Sequence, residues 1–180
     1  MNILTIILTV IAVIILLVLV LALITKNEYE IERQVIINKP VAVVFEYVKY
    51  IKNQDNYSKW VMIDPAMQKN YRGIDGTVGF AYAWDSKNKQ AGKGEQVIQK
   101  ITDNKQIDIR IEFIRPFSGI ADSCIATETV APDKTSVKWR FKSKMPYPMN
   151  VMMLFINMDK MLGSDLELSL NKLKQILEKI

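Results

Sequence analysis

A chain of 180 residues with 49% apolar residues, 24 Lys and Arg against 19 Asp and Glu, and a net charge of +5 has room for one ordinary domain and a short appendage. It has no histidine and a single cysteine, which excludes Ser-His-Asp and Cys-His nucleophile activation, imidazole metal sites and an internal disulfide. No run of basic residues is dense enough for a nucleic-acid patch, so no nucleic-acid partner is expected.

Residues 3–24 form an uncharged apolar run interrupted only by Thr5 and Thr9. As a helix rising about 1.5 Å per residue it reaches about 33 Å, enough to cross a bilayer core of about 30 Å. A secretory signal peptide carries a basic leader and a shorter apolar stretch. The expectation is therefore a single transmembrane anchor over residues 1–26, then one soluble domain over residues 27–180. Lys26, Arg33 and Lys39 follow the span, and basic residues orient a span while acidic ones hardly do, so the soluble domain is expected on the cytoplasmic side.

Tyr29, Ile31, Val35 and Ile37 alternate with polar residues and predict a half-buried strand over residues 28–37. Pro40 then opens a helix with Val41, Val44, Phe45 and Val48 on one side, and a second helical turn is expected around residues 53–58. From Met67 the helical period gives way to strict alternation. Strands are predicted over residues 67–72, through Val78, Phe80, Tyr82 and Trp84, and through Gly92, Gly94, Val97 and Ile101. Ile107, Ile109, Ile111 and Phe113 make a further strand with a clean buried face, another covers residues 120–130, and Val137, Trp139 and Phe141 make the last. Cys124, in an apolar alternating segment without a basic sequence neighbour, reads as a buried small hydrophobe.

Residues 149–180 carry apolar side chains at Val151, Leu154, Phe155, Met158, Leu162, Leu166, Leu170, Leu173, Leu177 and Ile180, the spacing of one helical face. They predict one helix of about thirty residues, about 45 Å long. Its second half is amphipathic, with Asp165, Glu167, Lys172, Lys174 and Glu178 on the polar side. Its first half is apolar nearly all round. Six of the nine methionines fall between Met145 and Met161, an adaptable surface suited to filling a core, meeting a ligand or meeting a changeable partner.

A strand, one or two helices, about six consecutive antiparallel strands and a long final helix make an α+β domain in which a curled sheet wraps the helix. Its concave side would carry Phe80, Tyr82, Trp84, Ile111, Phe113, Trp139 and Phe141, with room left for a cavity.

Particular segments carry a family likeness: Ile36-Ile37-Asn38-Lys39-Pro40 followed by Val43-Val44-Phe45-Glu46-Tyr47-Val48, the stretch from Asn56 to Trp60, and Asp64-Pro65-Ala66-Met67. To these are added Gly73-Ile74-Asp75-Gly76-Thr77-Val78-Gly79, Gly92-Lys93-Gly94-Glu95 and Met145-Pro146-Tyr147-Pro148-Met149. With them the soluble part resembles the helix-grip fold of the START and birch-pollen-allergen superfamily, also called SRPBCC, and its polyketide cyclase/dehydrase-like branch. The resemblance implies a sheet of about seven strands around the C-terminal helix and a cavity between them. It implies a ligand that is a hydrophobic small molecule or lipid, such as a quinone or isoprenoid-like species; no cofactor or metal is expected. Trp60, Tyr71, Met149 and Met153 join the concave-face residues as candidate lining. An alternative is a cyclase or dehydratase whose cavity groups come from Tyr71, Tyr82, Glu95 and Arg110, with Tyr82 and Glu95 foremost. Another is an interaction module at the membrane, presenting Met149, Met152 and Met153.

Overall fold

In the computed structural model, which describes residues 2–179, helix α1 (Ile3–Ile24) precedes an antiparallel sheet and a C-terminal helix. The strands are β1 (Glu28–Ile37), β2 (Gln68–Arg72), β3 (Ala81–Asp85), β4 (Lys93–Thr102), β5 (Gln106–Arg115), β6 (Gly119–Ala131) and β7 (Lys134–Lys144). They form a seven-stranded sheet in the order β1-β7-β6-β5-β4-β3-β2. Every pairing joins sequence neighbours except β1 with β7, where Val35 lies opposite Val137 and Glu28 opposite Lys144. A meander of this length curls under its own right-handed twist, and its concave side needs a cover.

The cover comes from two sources. Helix α2 (Val41–Val48), which starts after Pro40, buries Val44, Phe45 and Val48. A 3₁₀ turn (Ile51–Asn53), α3 (Gln54–Tyr57) and α4 (Lys59–Met62) add Ile51, Tyr57 and Val61. Helix α5 (Met158–Leu177) buries Leu166, Leu170, Leu173 and Leu177, the stripe that the three-and-four spacing predicts. At fully buried Ser169, the hydroxyl accepts from the Lys59 backbone N–H at 3.0 Å and donates to the Asp165 carbonyl at 2.7 Å. The Lys59 ammonium also pairs with Asp165, so α4 is fastened to α5. Gly163 is where Arg33 crosses α5, since a Cβ there would lie 2.1 Å from the guanidinium. That guanidinium holds both Asp159 oxygens at 2.9 Å.

Two expectations are corrected. The helix expected over residues 149–180 is broken: Met149–Leu154 is a 3₁₀ segment, and α5 begins only at Met158. Asn157 is the physical reason, because its backbone is extended (ψ 93°) and its side chain accepts from the Lys160 N–H at 2.8 Å, starting a new helix. Ile180, the last position of the expected stripe, lies outside the described residues. The strand expected from Val78 onward starts instead at Ala81, because Gly79 takes φ +88° and turns Val78 out to solvent.

Helix α1 is long and apolar enough to cross a bilayer, and Ala22 is its one buried residue. Its C-terminal end rests on the 3₁₀ segment. Helix ends leave carbonyls without intrahelical partners. Asn150, only 2% exposed, supplies one: its side-chain amide donates to the Ala22 carbonyl at 2.7 Å and the Thr25 carbonyl at 2.9 Å.

Candidate ligand cavity

A cavity of about 210 Å³ lies between the inner face of the sheet, α3 and α4, and the start of α5. It occupies the end of the sheet nearest α1. Phe113 pairs with Gly119, Ala121 with Ser143, and Ser143 with Tyr29, two residues from the point where the chain leaves Asn27.

Aromatic rings make the walls. Trp60 on α4 meets Trp139 on β7 edge-on, with centroids 6.0 Å apart and planes at 89°. Trp84 on β3 meets Phe113 on β5 in the same way at 6.1 Å and 78°, and Phe113 reaches Phe141 at 6.4 Å. Edge-to-face pairs of this kind add stability beyond the area they bury. Trp84 fits because its cross-strand partner is Gly94, where a Cβ would stand 2.6 Å from the indole and 2.5 Å from the Glu112 carbonyl. Ile111, Val61, Met67 and Leu162 complete the apolar surface.

The polar groups are few, and none of the lining side chains is ionised at neutral pH. The indole N–H of Trp139 donates to the Ser123 hydroxyl at 2.9 Å, and that of Trp84 to the Ala91 carbonyl at 2.9 Å. The Tyr82 hydroxyl lies 3.5 Å from the Met67 sulfur, and burial pushes this phenol well above its ordinary range. Gln96 on β4 donates to Gln54 on α3 at 3.0 Å, with both residues nearly fully buried. A primary amide has a carbonyl and an NH₂ group, so whichever way the two are turned, one carbonyl and one NH₂ remain over after the mutual bond. These are the groups available to orient a ligand.

Of the residues expected from sequence, Trp60, Tyr82, Trp84, Ile111, Phe113, Trp139 and Phe141 lie together around the cavity. Tyr71 and Phe80 do not. They stack on one another at 6.2 Å toward the opposite end of the sheet, where Ile51 is buried and the Lys52 ammonium lies 4.6 Å from the Tyr71 ring. Met149 and Met153 also lie outside it, because the break before α5 carries them to the surface beside α1, and Met153 lines a shallow groove with Phe155 and Met158. Glu95 is corrected as a cavity acid: it alternates with inward Gly94 and Gln96, and Arg72 holds both its oxygens at 3.1 Å on the outer face. Arg110 is exposed on that face too. The Cys124 thiol is buried, which with nearby Asp108 pushes its pKa up to about 11, so it is no nucleophile at neutral pH.

Gln54, Ser58, Gln96, Ser123 and Leu162 also line the cavity and were not anticipated. A signal for Gln96 does exist in the sequence. Gly94 has even parity whereas Ile101 has odd, and a strand can turn both inward only through a bulge, which the register places between Ile98 and Lys100; Val97, before the bulge, lies opposite Arg110 on the outer face. Before the bulge Gly94, Gln96 and Ile98 face inward. The open side is marked by exposed Gln90 in the β3–β4 loop and by half-buried Ala91, Phe113, Trp60 and Leu162.

No family model and no curated protein matches the chain. Solved structures do. Truncated norcoclaurine synthase from Thalictrum flavum superposes with a TM-score of 0.63 at 8% identity, covering 86% of this chain and 96% of that one. The same enzyme in complex with dopamine and hydroxybenzaldehyde gives 0.61 at 8% identity, over 89% and 91%. A protein of unknown function from Staphylococcus aureus gives 0.60 at 11% identity, over 87% and 97%. At such identities the likeness is one of fold, and the fold is helix-grip: a curved seven-stranded antiparallel sheet with a C-terminal helix.

Proposed function

We propose that the protein is a membrane-anchored binder of a compact, uncharged hydrophobic molecule held in the cavity between sheet and α5. The observation that carries this reading is the cavity itself: about 210 Å³, walled by aromatic rings, with the Gln54–Gln96 amides as its central polar feature. An apolar cavity of about 150 Å³ takes up benzene. The space here therefore suits a substituted single ring, such as a quinone head or a short isoprenoid-like species, better than a sterol. Norcoclaurine synthase, of the same fold, has been crystallised with two single-ring compounds, which supports this size class. No carboxylate, lysine or arginine lines the wall, and the one phenol there, Tyr82, is held protonated by burial, which favours binding over turnover. Helix α1, uncharged and exposed from Ile3 to Val18, would hold the cavity beside the bilayer, with the domain cytoplasmic by the Lys26, Arg33 and Lys39 pattern.

All three tryptophans of the chain line the cavity, so its occupancy is read directly by intrinsic fluorescence. Full-length protein in lipid nanodiscs, titrated with a short-chain benzoquinone, is expected to show saturable quenching that a charged ring analogue does not reproduce. Quenching that rises linearly for both compounds overturns the reading.

A further inference from the structure

We infer that the 3₁₀ segment Met149–Leu154, with Phe155 and the β5–β6 turn, is seated in the lipid leaflet that surrounds the C-terminal end of α1. The inference rests on the reading of α1 as a membrane span and adds a second, non-spanning contact of the domain with the same bilayer.

Three observations carry it. The first is depth. Residues 3–24 reach about 33 Å as a helix, close to the whole thickness of a hydrocarbon core. Leu19 is five residues short of Ile24, which puts it about one turn inside the apolar layer. The Tyr147 hydroxyl lies 3.5 Å from the Leu19 carbonyl, and the Asn150 amide donates to Ala22 and Thr25. A segment tied at these points shares their depth.

The second is surface chemistry. Phe155 is 83% exposed, Leu154 55%, Met152 41% and Met149 37%. Four neighbouring large apolar side chains turned to water are costly to leave uncovered, and a contiguous patch of this kind marks an interaction surface. The Asn150 bonds place that surface against the helix that the bilayer would surround, so lipid is the covering already at hand.

The third is a separate element at the same level. Phe117, 67% exposed, occupies the turn between β5 and β6. Gly119 opens β6, and through Ala121, Ser143 and Tyr29 the register sets this turn beside the point where the chain leaves α1. Ile120, Gly119, Met145 and Pro146 line one surface groove that joins the turn to the start of the 3₁₀ region. The opposite end of the sheet, at the β6–β7 turn around Asp133, lies beyond the full length of β1, a strand of about 33 Å.

The test uses nitroxide labels on full-length protein with Cys124→Ser, reconstituted in vesicles of phosphatidylcholine and phosphatidylglycerol. Labels are placed at Val13→Cys, Phe155→Cys, Met152→Cys and Asp133→Cys, and collision rates with oxygen and with a water-soluble nickel chelate are compared. The expected result is an oxygen-to-nickel ratio at positions 152 and 155 several-fold above that at 133 and on the lipid side with 13. A lipid-like ratio at 13 with water-like ratios at 152 and 155 overturns the inference and leaves the anchor standing. A water-like ratio at 13 overturns both. Should Cys124→Ser fail to fold, Cys124→Ala or the unaltered, buried thiol serves as background, since labelling at the exposed sites outpaces it.

Discussion

The Gln96 side-chain amide reaches across 3.0 Å to Gln54, joining the sheet to α3 inside a cavity walled mostly by rings and aliphatic groups. Removing one member strands the other. A buried amide left without its partner costs about 1–3 kcal/mol, whereas replacing both members by apolar groups is nearly neutral. Gln96→Leu alone is expected to lower the urea midpoint measurably, and Gln54→Leu with Gln96→Leu to restore most of it. The double variant should still take up benzene and lose affinity for the quinone about tenfold, one hydrogen bond's worth in a dry site. Denaturation and ligand titration on the same three proteins check this.

Gly94→Ala sets a methyl against two neighbours of different stiffness. The Trp84 indole, 2.6 Å away, can tilt, but the Glu112 carbonyl at 2.5 Å belongs to the adjacent strand and cannot. Crowding in a packed site costs about 1–3 kcal/mol. The expected outcome is a lower melting temperature, together with a red-shifted emission maximum as Trp84 is pushed toward solvent.

Asn150→Ala removes the cap on the end of α1 and leaves the Ala22 and Thr25 carbonyls without it. The domain core, centred on residues such as Leu166, Leu170 and Ile109, is untouched, so the melting temperature of the domain should barely move. The juncture should open. Loss of these bonds costs about 1–3 kcal/mol, which raises the open population about fivefold to a hundredfold, and tryptic cleavage after Lys26 should accelerate accordingly.

The acid limb of stability has a defined origin. Hydrogen bonds from Lys144 and then Lys142 hold the Glu28 carboxyl below its usual range, Lys93 and Arg115 do so for Asp85, and Arg33 for Asp159. A carboxyl whose folded pKa is depressed contributes fully above its unfolded value of about 4, and that contribution is lost as pH falls through the folded value. The urea midpoint should therefore decline below about pH 4, and the combined change Glu28→Gln, Asp85→Asn and Asp159→Asn should flatten that decline. These groups are exposed, so the effect should shrink further in high salt.

Alternation made the sheet legible. β1 and the buried faces of β5 and β7 could be read from Ile31, Ile37, Ile107, Ile109, Val137 and Trp139, because a half-buried strand writes its burial into every second residue. The C-terminal stripe at Leu166, Leu170, Leu173 and Leu177 was equally plain. The polar anchors were not, since a glutamine in a strand ordinarily faces water and Gln54 sits in a helix of four residues, too short to show a period. The broken helix escaped for a related reason. Apolar spacing runs through the 3₁₀ segment without a gap, and only the capping chemistry of Asn157 reveals that the chain starts afresh there.

The pairing of β1 with β7 also sets an order of events during synthesis. β1 follows α1 directly, yet its sole partner arrives last, with Val35 and Val137 about a hundred residues apart. At about 5–20 residues per second the ribosome leaves β1 single for about 5–20 s, close to wherever α1 has lodged. An unpaired strand is a template for aggregation, and charge along it is a common protection. Glu28, Glu30 and Glu32 put a carboxylate at every second position of the outward face over that stretch. The same alternation that marks β1 as half-buried in the finished domain thus keeps it soluble while it waits, and closure of the sheet comes only when the last strand has left the ribosome.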